Sequence, residues 1–120
     1  MSVSAAQADA FYREVLTSRT VWTVRDADGF PAPMTPTGQR AQPFWSKQSR
    51  AQRIVDAVPA YAEMEIVEIP LVDWRERWLP GLERDGLLVG INWSGRNATG
   101  YDRSPADVLR ILDTRDSMGG

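Results

Sequence analysis

The chain has 120 residues, a formal net charge of −2, 42% hydrophobic and 25% charged residues. That balance predicts one folded domain with its own core and excludes a disordered chain. The charges are mixed without a basic stripe, which sets nucleic acid aside as a partner. Cysteine and histidine are both absent, so disulfides, thiolate nucleophiles, zinc–sulfur sites, Ser-His-Asp triads and histidine–metal sites are excluded.

The opening, MSVSAAQADAF, has neither the basic region nor the apolar stretch of a secretory leader. No apolar run approaches the ~20 residues that cross a bilayer. A cytoplasmic protein without a membrane partner is expected.

Residues 4–17 predict a helix, with Ala8, Phe11, Tyr12, Val15 and Leu16 on one apolar face and a Ser4–Gln7 capping box. Residues 20–26 alternate and are β-branched, as in a strand. The stretch ADGFPAPMTPTG reads as a turn followed by an irregular loop. A short strand at 41–45 leads to a helix with Ser46 or Ser49 as its cap; Ile54, Val55 and Val58 share a face, and Pro59 ends it. Residues 64–69 predict a strand. A short helix over 70–79 places Leu71, Trp74 and Trp78 together and is interrupted at Pro80-Gly81. Gly86 suits a left-handed cap, and 87–92 is apolar on both faces, as in a central parallel strand. A loop around 94–97 leads to a strand at 98–101. The last helix, 105–113, has Ser104 as cap, Pro105 first and Asp107 in its first turn, before a frayed tail.

Strands alternating with helices from residue 41 predict an α/β fold, with α+β as the variant. The expectation is a single domain over 1–116 and a flexible tail at 117–120. Its sheet is small, mixed and mostly parallel, with four or five strands and about four flanking helices. The first strand pairs antiparallel at an edge.

The segments FWSKQSRAQRI (44–54) and WLPGLERDGLLVGINWSG (78–95) resemble a small bacterial family, domain of unknown function 2750. The likeness rests on Phe44, Trp45 and Ser46 leading into a helix. It rests also on Trp78, Leu79, Pro80, Gly81, Leu82, Asp85, Gly86 and Leu87 ahead of an apolar strand. The pattern from Ser104 to Leu109 is also similar to SseB-like domains, small α/β modules linked to bacterial secretion and protein interaction. The first resemblance implies a fold and no activity.

Ligands of open parallel sheets bind beyond the carboxyl ends of the strands. Ser46, Arg50, Asn92, Trp93 and Arg96 would share such a rim, beside Trp45, if their strands run parallel. The rim reads either as a patch for a carboxylate, phosphate or peptide, or as helix-capping serines with Trp93 packed under the proline-rich loop. Trp74 and Trp78, beside Arg75 and Arg77, read either as an interface patch or as a buried helix face. Glu63, Glu65 and Glu68 do not make a catalytic pair. The Asp9, Asp73 and Asp107 carboxylates suit helix starts. Asp26-Ala27-Asp28-Gly29 resembles the start of a calcium loop, but Phe30 and Pro31 make it a hairpin-like turn. Gly90, inside a strand, marks close helix packing.

These readings favour a non-catalytic protein-interaction module, accessory or immunity-type, monomer or homodimer, with no cofactor and no metal. The site residues are Trp45, Ser46, Arg50, Trp74, Arg75, Asn92, Trp93 and Arg96. The alternative is a small anionic-ligand-binding domain at the Ser46/Arg50/Arg96 rim; a carboxylate-based hydrolase comes last.

Overall fold

The computed structural model describes residues 3–119, with side chains over 5–117. The described residues form helix α1 (Val3–Ser18), strands β1 (Thr20–Arg25) and β2 (Ala41–Phe44), and helix α2 (Gln48–Ala57). A 3-10 turn (Pro59–Tyr61) and strand β3 (Glu65–Pro70) follow. Next come three contiguous helical segments: α3 (Leu71–Asp73), a π-helical turn (Trp74–Trp78) and α4 (Leu79–Arg84). Strands β4 (Leu88–Ser94) and β5 (Thr99–Arg103) and helix α5 (Pro105–Gly119) complete the chain.

The strands form two small sheets, ordered β1-β3 and β2-β4-β5. Only β2 and β4 run parallel; β1–β3 and β4–β5 are antiparallel. The expected mostly parallel sheet is therefore corrected. Parallel pairing needs a long crossover, and residues 45–87 supply one between β2 and β4. The turn at 95–98 is too short for a crossover, so β5 must fold back on β4. A seam joins the two sheets. Trp22 and Trp45 exchange main-chain hydrogen bonds of 2.8 and 2.7 Å, as one antiparallel bridge.

Side chains alternate across the strands and feed two cores. One face carries Val21, Phe44, Val89 and Ile91 against α1, the helical run 71–84 and α5. The other carries Val24, Ala41, Trp45 and Trp93 against α2 and the Pro59–Tyr61 turn. Strand β4 is apolar on both faces because it lies between these layers, as its sequence predicts.

Several local expectations shift. The helical run continues through Pro80-Gly81 to Arg84. Within the preceding π turn the Leu79 amide bonds to the Trp74 carbonyl, one residue farther back than in an α-helix. This widened turn accommodates a proline that has no amide to donate and whose ring clashes with the usual helical carbonyl. Gly86 takes φ 72°, the left-handed cap its position requires. Helix α5 runs six residues past 113. Ser117, Met118 and Gly119 of the expected tail have helical backbone, while Gly120 lies outside the described residues. The Ser104 hydroxyl accepts the Asp107 amide at 3.1 Å, so its capping role holds. Neither Ser46 nor Ser49 caps α2; Lys47 is the boundary residue and makes no side-chain cap. The capping serine expected at Ser4 has a side chain outside the described residues. Its expected partner Gln7 donates to Ser94 Oγ instead, at 2.8 Å.

Candidate functional site

The site is built where β2 and β4 end side by side. Parallel register pairs Phe44 with Ile91, so the residues that follow, Trp45-Ser46 and Asn92-Trp93, emerge together. Between Ile91 and Ser94 the register against β5 slips by one residue. Asn92 absorbs the slip with φ 47°, a left-handed backbone that Asn tolerates better than most residues.

That bulge decides which way each side chain points. An inserted residue reverses the alternation downstream, so Trp93 falls on the same face as Gly90. A methyl group at Gly90 would meet the Trp93 ring atoms Cε2 and Cζ2 at 2.4 and 2.5 Å. The close neighbour of Gly90 is thus the Trp93 indole, not a helix. Asp102 lies opposite Gly90 on β5, and its Oδ1 accepts the Trp93 Nε1–H at 2.8 Å. The Trp93 carbonyl in turn accepts the Trp45 Nε1–H at 2.8 Å. Trp93 is 5% exposed. Asn-Trp-Ser-Gly is therefore a structural corner, with its indole packed among Val58, Tyr61 and Ala98.

On the opposite side of the bulge, Asn92 organises a polar network. Its Oδ1 accepts the Ser46 amide at 3.0 Å, and its Nδ2 donates to Ser46 Oγ at 3.0 Å and to the Gln7 carbonyl at 3.3 Å. Ser46 Oγ donates to Glu14 Oε1 at 2.6 Å. Arg50 grips the same carboxylate with Nε and Nη2, both at 3.0 Å. Lys47 Nζ stands 3.9 Å from it. Burial alone would raise the Glu14 pKa. The hydrogen bonds from Arg50 and Ser46, with the Arg50 and Lys47 charges, outweigh it and hold the carboxyl below its ordinary range. Glu14 of α1 thus places a carboxylate near the start of α2.

Beyond this network a cleft of about 330 Å³ opens. Arg50, Arg53, Ile54 and Ala57 line it from one face of α2, at the i, i+3, i+4, i+7 spacing. Trp93, Ser94, Gly95 and Arg96 line it from the end of β4. Among the described residues, the Arg53 and Arg96 side chains make no hydrogen bond or ion pair. Arg50, by contrast, is committed to Glu14.

The sequence-predicted residues thus divide. Trp45, Ser46, Arg50, Asn92, Trp93 and Arg96 are brought together at one corner. Of these, Trp45, Ser46, Asn92 and Trp93 are buried and hold the corner in place. Trp74 is elsewhere and fully buried, with its ring at 5.8 Å from Phe11 and 5.2 Å from Phe44 in edge geometry. Trp78 sits edge-on to Phe30 at 4.9 Å. Arg75 pairs with Asp113 and, at 3.2 Å, with Asp116 of α5. Of the two readings of this helix, the buried face holds for Trp74, while Trp78 is half-buried. Glu14, Arg53, Gln7 and Asp102 were not among the expected site residues. Only Arg53 had a local signal, three residues after Arg50.

Two carboxyl groups near the corner face different surroundings. Asp102 is raised above the ordinary carboxylate range by burial, which the Trp93 hydrogen bond offsets only in part. It lines a neighbouring groove and Glu14 does not. Among the described residues, no three acidic side chains gather where a metal ion could sit.

The molecule is thus a layered α/β domain, with helices on both faces of its strands and an arginine-lined cleft at one corner. The chain belongs to the family described as protein of unknown function (DUF2750), whose model matches residues 8–112. No curated protein matches it. The match takes in both segments that carry the resemblance, and their residues have structural work. Leu79 and Leu82 are in the core, Trp78 packs against it, and Gly86 turns the chain into β4.

Proposed function

We propose that the domain is a non-catalytic binding module that holds an anionic ligand at Arg53 and Arg96. One observation carries the reading. Of the arginines, only Arg53, Arg77 and Arg96 lack a partner among the described residues, and two of these line the same cleft. Elsewhere the chain, with its net charge of −2, ties its guanidinium groups to carboxylates or carbonyls. Paired planar guanidiniums suit a carboxylate or phosphate, which they contact through two parallel N–H donors. The cleft's volume falls at the lower end of small-molecule sites, roughly 300–1,000 Å³. Glu14 fixes Arg50 and so stiffens the wall from which Arg53 projects.

A protein-docking reading drew on tryptophans that turn out to be buried, so it loses its anchors. A glycosidase-type reading would want two carboxylates flanking one substrate bond, and this cleft is lined by none.

Thermal denaturation with pyrophosphate in a chloride background tests the proposal. Saturating ligand should raise the Tm by several degrees, as binding to the folded state alone requires. An Arg53→Ala, Arg96→Ala variant that folds should lose the rise. No rise in the parent, or an equal rise in the variant, would sink the assignment.

A further inference from the structure

Arg96 and Trp93 line not one depression but two. Adjoining the cleft through Trp93 and Arg96 is a groove of about 450 Å³, lined by the proline-rich loop and the Pro59–Tyr61 turn. Its walls are mostly apolar: Pro33, Met34, Pro36, Pro59 and Tyr61. Met34 is 57% exposed, one of three large hydrophobic side chains left at the surface among the described residues. Two charged side chains border the groove. Arg96 is shared with the cationic cleft, and Asp102 is turned toward Trp93.

We infer that the ligand is a free amphiphilic anion, its charged head at Arg53 and Arg96 and its apolar tail in the Met34–Tyr61 groove. This rests on the anion-binding reading above and specifies it. The direction follows from charge. Two of the three unpaired guanidiniums, Arg53 and Arg96, border the cleft, whereas the groove contains the Asp102 carboxyl, which would repel a second anion. A head placed between Arg53 and Arg96 leaves one apolar channel adjoining it, and a tail there covers Met34. Trp93 lines both depressions, so it adjoins a ligand that spans them.

Titration calorimetry with octyl phosphate below its micelle concentration, beside inorganic phosphate, tests this. Octyl phosphate should bind about tenfold or more tightly than phosphate, because each buried methylene adds to affinity. A Met34→Asn, Ala60→Gln variant, changed only at exposed groove positions, should lose that gain and keep phosphate binding. In 1H–15N spectra the Trp93 indole N–H, assigned with Trp93→Phe, should shift with octyl phosphate. Equal affinity for the two ligands, or a gain that survives in the groove variant, would overturn the tail assignment and leave the anion site standing. Binding of neither would remove both. Co-sedimentation with phosphatidylglycerol vesicles, without binding of monomeric octyl phosphate, would overturn the commitment to a free ligand.

Discussion

Trp93 lies so close to Gly90 that a methyl group at position 90 would stand 2.4 Å from its Cε2. Neither residue can be understood alone. Gly90→Ala should lower stability by about 1–3 kcal/mol, the usual cost of overpacking. Trp93→Leu should also destabilise, but the double variant should cost less than the sum. Urea denaturation of all four proteins gives the coupling. Strict additivity would mean that the indole is not what excludes a side chain at position 90.

Glu14 is the internal anion of the corner. Glu14→Gln should cost about 1–3 kcal/mol at neutral pH, because Arg50 loses its charged partner. Its carboxyl is held below the ordinary value in the fold. Its contribution is therefore complete above the unfolded-state pKa and is lost as pH falls through the folded one. The gap between parent and variant should narrow from about pH 7 to about pH 3. A gap that does not change with pH would assign the loss to shape rather than charge.

Asp102 behaves in the opposite sense. Its pKa is raised by burial, so ionisation opposes folding above that raised value and the penalty fades as pH falls through it. Asp102→Asn keeps an acceptor for the Trp93 indole and removes the charge. It should match or exceed the parent at neutral pH and lose its relative advantage in acid. Chemical denaturation across that range checks the sign, and an advantage that grows in acid would contradict it.

Tyr12 is buried in the larger core, and its hydroxyl has no hydrogen-bond partner among the described residues. Burial pushes its pKa up to about 12, against the lowering charges of Arg103 and Arg115. Tyr12→Phe removes an unsatisfied polar atom without opening a cavity. Stability should be unchanged or rise by up to about 1 kcal/mol. A loss larger than that would reveal a partner for the hydroxyl.

The sequence made the elements legible where periodicity was strong. The apolar faces of α1 and α5 and the two-sided burial of β4 follow from residue spacing. The Ser46, Arg50, Asn92 and Arg96 rim followed from placing two strands parallel, which only β2 and β4 satisfy. What could not be read was long-range. Nothing near Glu14 signals that it meets Ser46 and Arg50, 32 and 36 residues away. Nor does Asn92 advertise a left-handed backbone inside an apolar strand, yet that one residue sends Trp93 inward. The mostly parallel sheet was misread for a similar reason: β3 returns antiparallel to β1 rather than joining β2 and β4, a choice made by tertiary pairing. Pro80-Gly81 read as a stop because the widened turn that accommodates it has no local mark.

The Trp22–Trp45 seam gives the molecule a grain. A continuous ladder distributes strain over every rung, whereas here two main-chain hydrogen bonds link β1 and β3 to the other three strands. Backbone opening can then proceed in two blocks, with side-chain packing as the main tie between them. The long helical run leaves β3 directly but packs its Trp74 and Trp78 against Phe44 of β2, so it straddles the two blocks; the arginine-lined corner is built chiefly on the second. The amide protons of Trp22 and Trp45 lie on the fault line itself. Their exchange with solvent reads out how firmly the two halves are latched.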